Sequence, residues 1–274
     1  MLACNATLAA TPQEPSVATP DATQAVFVNA MRDPVNKSYR RMLKGMELFE
    51  KNRAVAPGAS LRYKLLPRQA DTRMDGIVLE VVAETITIPV PVAADRTFTL
   101  EIDPIAVAEN AAVMPNRKAS SLTWRTEIRT PGLAANMRRL GDLRLECRVG
   151  IEAGLVSNTL PVIGRIAELF TGDFCSGSDT PYLFFADRPL FGVTMVSGSR
   201  REVLSVDDLY AGVGYGRVST SDLAYCDCQV LVDRSYFLPL GDGSWPDDTL
   251  IEFEYMDSDA EDPRAPSAAV RSNP

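Results

Sequence analysis

Three sets of side chains in this 274-residue chain have the types and spacing to do chemistry: five cysteines, an arginine-rich stretch and an acidic strip. The cysteines are Cys4, Cys147, Cys175, Cys226 and Cys228. If Cys4 is cleaved off with a leader or carries a lipid, four remain, an even number that suits two disulfides in an oxidising compartment. Cys226 and Cys228 sit in AYCDCQVLV, an alternating run that predicts a strand with both sulfurs on one face. A bond between them would close a strained small ring, so each is expected to pair with Cys147 or Cys175. A zinc site lacks the paired C-x2–4-C spacing. Free thiols in a cytosolic protein are the plainer alternative.

Between Arg117 and Arg148 stand eight basic residues against three acidic ones, so this segment carries +5 while the rest of the chain sums to −13. Arg125, Arg129, Arg138 and Arg139 are candidates for an anion site, because guanidiniums take carboxylate or phosphate in a bidentate grip. Lipid headgroups or glycan carboxylates would fit. The plainer reading has Arg144 and Arg148 facing solvent from a strand and the others pairing with acids elsewhere in the chain. From Asp242 to Asp262 there are nine acids and no base. LGDGSWPDD has the composition of a calcium loop without the ligand register of an EF-hand. Asp242, Asp247 and Asp248, near Trp245 and Tyr255, form the one carboxylate set that could serve a glycosidase, which needs two acids about 5–10 Å apart. This strip could equally pair with the basic segment, in the same chain or a neighbouring one.

The exclusions are firmer. Histidine is absent, which removes the Ser-His-Asp triad, the Cys-His pair, the HExxH zinc site and any imidazole base. The G-x-G-x-G of Gly212–Gly216 has no Rossmann strand before it, and Ser176-Gly177-Ser178 lacks the strand–elbow–helix setting of a nucleophilic serine. No metal site and no cofactor is expected. A net charge of −8 and a pI near 4.8 argue against nucleic acid as a partner. No apolar run approaches the roughly 18 residues of a membrane span.

These side chains need elements to hold them. Residues 34–53 predict an amphipathic helix, capped by Asp33 with Pro34 in its first turn. Tyr39, Met42, Leu43, Met46 and Phe49 form its apolar stripe. From Leu61 the period falls to two. Strands are expected at Leu61–Leu65, Ile77–Val82, Thr85–Val90, Thr97–Ile102, Ser121–Ile128 and Leu143–Val149. Turns fall at Asp75-Gly76, Ala83-Glu84, Ala94-Asp95 and Thr130-Pro131-Gly132, and Ala134–Leu140 reads as a helical turn. Short strands so spaced argue for a sandwich or barrel. A helix is expected over 159–170, then strands at Tyr182–Phe185, Gly192–Ser197, Glu202–Ser205, Ala224–Asp233 and Leu250–Met256, with one helical turn at Val206–Ala211.

Within this pattern, Asp95-Arg96-Thr97-Phe98-Thr99-Leu100 resembles the D-G-x-F-x-L turn of the prealbumin-like sandwich found in carboxypeptidase regulatory-like and Cna B-type domains. The resemblance covers residues 76–102. Arg96 replaces the turn glycine, and no later Gly-x-Tyr corner follows. It implies that Phe98 and Leu100 face a sandwich core, and that the module spaces, stabilises or binds rather than catalyses.

The expected protein is mainly β. A prealbumin/Ig-like β-sandwich domain spans 54–157, and a second β-rich domain spans 158–257 beyond the break at Ser157-Asn158. The amphipathic helix precedes the first domain, and a second helix lies between the two. Residues 1–33 read as a leader remnant and a proline-bearing linker, and 258–274 as a disordered tail. MLACNATLAA is similar to the end of a secretory signal, with a cut after Ala10 or a lipid on Cys4 as the two outcomes. The excess of arginine over lysine matches the coding bias of a GC-rich bacterial genome. Together these features point to a non-catalytic protein of the bacterial cell envelope, periplasmic or anchored by lipid to the outer membrane. It would bind or scaffold an envelope protein, a glycan or a lipid headgroup. A carboxylate-based hydrolase of envelope glycan is the alternative.

Overall fold

The computed structural model describes residues 36–68, 71–117, 121–155, 174–176, 182–212 and 232–256. Lys37–Ser38 form a short strand, β1, and the first helix, α1, follows over Tyr39–Lys51. Asp33 and Pro34, expected at its start, lie outside the described residues. The cap is Ser38, whose hydroxyl accepts the Arg41 N–H. The helix starts late because Lys37 and Ser38 are held extended against Val113 and Ala112. Its stripe is the expected one: Tyr39, Met42, Leu43 and Phe49 are buried and Met46 is half-buried.

The chain then forms β2 (Ser60–Pro67), β3 (Leu79–Val82), β4 (Thr87–Val90), β5 (Thr97–Phe98), α2 (Pro104–Ala108), β6 (Ala112–Pro115) and β7 (Leu122–Arg129). Two antiparallel sheets result, ordered β5-β2-β7 and β1-β6-β3-β4. The hairpin before β5 turns at Ala94-Asp95, and Arg96 takes the left-handed conformation at φ 66° that favours glycine. Phe98 and Leu100 face the core. The strand expected to reach Ile102 ends at Phe98. The Tyr39 hydroxyl explains this: it donates to the Glu101 carbonyl and accepts the Asp103 N–H, drawing this stretch toward α1 and away from β2.

Two expectations fail in the next stretch. Where Ala134–Leu140 was expected to turn helically, Met137–Arg139 form a strand, β8. Where Leu143–Val149 was expected to be a strand, the chain forms a helix, α3, over Leu140–Glu152. The alternation L-x-L-x-C-x-V arises because α3 buries two opposite faces. Leu140, Leu143 and Cys147 pack into one core, and Leu145 and Val149 into another that holds Phe49 and Ile128. Two apolar stripes half a turn apart interleave along the sequence with an apparent period of two. α1 crosses α3 closely at Gly45, where a β-carbon would stand 2.8 Å from that of Ala153.

The remaining strands are β9 (Phe184–Phe185), β10 (Leu190–Ser197), β11 (Arg200–Val203), β12 (Ser235–Tyr236) and β13 (Leu250–Tyr255). They form a sheet ordered β11-β10-β13-β8 and a two-stranded sheet, β12-β9. The expected helix at 159–170 and most of the expected strand at 224–233 lie outside the described residues; Val232–Arg234 form a 3-10 turn. β8, which precedes Ser157-Asn158, pairs with β13 beyond it. With four sheets and three α-helices among the described residues, the fold is mainly β. Among those residues no helix is long and apolar enough to cross a membrane.

Candidate functional site

β7 forms the edge of its sheet, and the sequence places a charged residue at every second position from Arg125 to Arg129. β2 sets Lys64 opposite Arg125. An exposed edge would be open to further pairing. Here α3 and β8 close it: Glu146 accepts the Ile128 N–H at 2.7 Å, and Arg138 donates to the Ile128 carbonyl at 2.8 Å. Arg138 also pairs with Glu146. On the charged face, Lys64 meets Asp187 at 2.6 Å and Glu127 at 3.8 Å, while Arg129 meets Glu127 at 2.5 Å and Asp187 at 3.4 Å.

The electrostatics follow from burial. Loss of solvation pushes the Asp187 and Glu127 carboxyls up, but Lys64 and Arg129 outweigh it and hold both below the usual range, Asp187 at about 2. At Glu146 burial wins: despite Arg138, desolvation and the charge of Glu127 push the carboxyl up to about 7. Burial raises the Tyr182 phenol to about 12 and lowers the Arg125 guanidinium. Arg125 lies over the Phe185 ring, 4.8 Å from its centroid.

Of the four arginines nominated for an anion site, Arg125, Arg129 and Arg138 converge here. Arg139 does not: it follows Arg138 on β8 and so points to the opposite face. Arg144 does not face solvent from a strand. It lies on α3 and grips Asp247 at 2.6 Å and the carbonyls of Leu240 and Asp242. Arg148, also on α3, reaches the Ser176 hydroxyl at 2.9 Å. The acidic strip thus pairs with the basic segment inside the chain, through Arg144 and Asp247. Trp245, which would have to flank a sugar site, is 1% exposed, with the Arg200 guanidinium over its ring. Lys64, Glu146, Tyr182 and Asp187 were not anticipated as site residues. The one local signal was Lys64, a charge inside the apolar run Tyr63–Leu66.

Cys147 on α3 is bonded to Cys175, not to Cys226 or Cys228 as the strand reading expected. The helical course of α3 brings Cys147 into the core beside Cys175. Cys4, Cys226 and Cys228 lie outside the described residues. Among the described residues no group of three or more cysteine, aspartate or glutamate side chains could hold a metal ion.

A second site lies beside α1. Leu43, Met46 and Phe49 of α1, with Leu61, Leu100 and Ile102, line an open apolar groove of about 660 Å³. Its lining charges have both signs, Lys44 and Glu47 among them. β2 forms one wall. It pairs with β7 along its whole length but with β5 only at Tyr63 and Lys64. The Leu65 N–H donates to Arg96 on the β5 side, so by antiparallel alternation the backbone groups of Leu61 also point that way. Beyond Phe98 no strand among the described residues meets them. No protein-family model, curated protein or solved structure matches this chain.

Proposed function

We propose that this protein is a non-catalytic binding or scaffolding component of the bacterial envelope, periplasmic or lipid-anchored, and that it takes an extended apolar segment of another envelope protein into the groove beside α1. One observation carries this: the unpaired edge of β2 at Leu61 opens onto an apolar groove of about 660 Å³. Adding a strand to a sheet edge satisfies its backbone groups, while pockets on alternate sides choose the side chains. A glycan would need a polar lining. An anionic headgroup would need cations without neighbouring carboxylates, whereas Lys44 and Glu47 share this wall. The export reading draws support from the leader-like MLACNATLAA and from the Cys147–Cys175 bond, a kind that persists in oxidising compartments. We further infer that the β5-β2-β7 and β1-β6-β3-β4 sheets form a prealbumin/Ig-like sandwich. The support is a shared core, to which Tyr63, Phe98 and Trp124 contribute from one sheet and Leu79, Val81 and Val113 from the other.

The test is a photoreactive side chain at Ile102, 74% exposed at the groove, with Val203 on β11, 70% exposed, as control. In the native host, the expected result is one envelope protein cross-linked at position 102 and not at 203. Its adduct should map to an extended apolar segment, and Ile102→Asp should abolish the association. Equal labelling at both positions, or adducts with lipid alone, would overturn the groove reading. The intact mass of the native protein, with thiols alkylated before and after reduction, tests export separately. A chain starting at Met1 with freely alkylated cysteines would overturn it.

A further inference from the structure

The groove beside α1 has a charged rim as well as an apolar floor, and the two signs are segregated along the helix. Arg40 and Lys44 line it toward the N-terminal end of α1, Glu47 and Glu50 toward the C-terminal end. All four are exposed. Arg40 donates to the Val107 and Ala108 carbonyls, which hold it in place and leave its charge uncancelled. Glu50 is offset by Arg53, with which it pairs at 2.5 Å. Lys44 and Glu47 have no ion-pair or hydrogen-bond partner among the described residues. Basic charge thus comes first along α1 and acidic charge second, with about 10 Å of helix rise from Arg40 to Glu47.

The fold also fixes which way a guest strand runs past those charges. The Tyr63 hydroxyl donates to the Met42 carbonyl, and Leu61 packs against the cluster that holds Phe49. β2 therefore runs from the C-terminal end of α1 back toward its middle. Ile102 adjoins the start of α1, because the Tyr39 hydroxyl holds Glu101 and Asp103 on either side of it. Both neighbours of β2 are antiparallel to it. Antiparallel pairing is the more stable kind per residue, and it lets one guest residue exchange both bonds with Leu61. A segment added in that sense runs the same way as α1. It enters past Ile102, Arg40 and Lys44 and reaches Leu61 beside Glu47. We propose that the groove takes its segment in one direction only, and that the segment carries an acidic residue before its apolar stretch and a basic residue after it. This rests on the groove reading above and adds the chemistry of the partner segment to it. Exposed ion pairs contribute little affinity. Reversing the segment turns each attraction into a repulsion, and that difference selects the direction.

The test uses the full chain and two fluorescent peptides of one composition, blocked at both ends. One has an acid, three apolar residues and a base in that order; the other has the two charges exchanged. Binding is read by anisotropy at low and at high salt. The acid-first peptide should bind several-fold more tightly at low salt, and the difference should shrink at high salt. The double variant Lys44→Glu with Glu47→Lys should abolish or invert that preference; both positions are exposed, so the fold should tolerate it. Ile102→Asp should weaken both peptides alike. Equal affinity for the two peptides, tighter binding of the base-first one, or an unchanged preference in the double variant would overturn the directional inference and leave the groove reading standing. Binding of neither peptide, or binding that Ile102→Asp does not alter, would overturn the groove reading and this inference with it.

Discussion

Glu146 sits where three demands meet: it closes the edge of β7 through Ile128, it partners Arg138, and it is almost wholly removed from water. Its folded pKa of about 7 lies above the ordinary 4.5, so the folded state holds this proton more tightly than the unfolded chain does. The stabilisation is complete below about pH 4.5 and is lost as pH rises through about 7. Between pH 5 and 7.5 the protein should lose on the order of 3 kcal/mol of unfolding free energy. Glu146→Gln should flatten that slope, as read by urea denaturation at the two pH values. The chain has no histidine to confuse this window. Asp187 acts in the opposite sense and elsewhere: held at about 2, it contributes stability that is present above its ordinary 3.8 and lost as pH falls through 2. A slope between pH 5 and 7.5 that persists in Glu146→Gln would show that another group carries it.

Among the elements, α3 decides the most. It is buried on two faces and joins the core of the β10 sheet to a small cluster of Phe49, Ala56, Ala59 and Ile128. Its approach to α1 depends on Gly45. Alanine is the better helix former by about 1 kcal/mol, so propensity alone predicts that Gly45→Ala stabilises α1. The packing predicts the reverse. A β-carbon at 45 would stand 2.8 Å from the Ala153 β-carbon and 3.2 Å from the Val149 carbonyl, which forces the helices apart. The expected outcome is a net loss of about 1–3 kcal/mol, typical of overpacking, seen as a lower urea midpoint. Adding Ala153→Gly should recover part of it. A gain in stability from Gly45→Ala alone would mean that the two helices cross less tightly.

At the scale of the whole molecule, the Cys147–Cys175 bond ties α3 to the short turn Phe174–Ser176 across a separation of 28 residues. Closing a loop of that length restricts the unfolded chain by about 3–4 kcal/mol. Both sulfurs are buried in the core that also holds Leu140 and Leu143. Replacing both cysteines with alanine should lower the unfolding free energy by about that amount, and reductant should no longer change the midpoint. If reductant leaves the native protein's midpoint where it was, this bond does not contribute to stability. The same core draws on residues from both sides of Ser157-Asn158.

Much of this could be read directly, and for one reason: where an element buries a single face, its periodicity is written in adjacent residues. The stripe of α1, the strands β3, β4, β10 and β13, the turn before β5 and the inward Phe98 and Leu100 are all of that kind. Histidine's absence narrowed the chemistry with no structure at all. What tertiary structure decided was every feature with two partners or a distant one. α3 carries two interleaved apolar faces, and two faces of a helix counterfeit the period of a strand. Lys64 finds Asp187 at a separation of 123 residues, and Arg144 finds Asp247 at 103. The strand reading of Cys226 and Cys228 sent each toward Cys147 or Cys175, but Cys147 bonds Cys175, a partner 28 residues away that only the folded chain brings beside it. Composition located the arginines, but only the folded chain shows that Arg129 and Arg138 pair with carboxylates while Arg125 lies over the Phe185 ring. Charge balance is a property of the cluster, and the cluster exists only once β2, β7, β8, α3 and β9 have met.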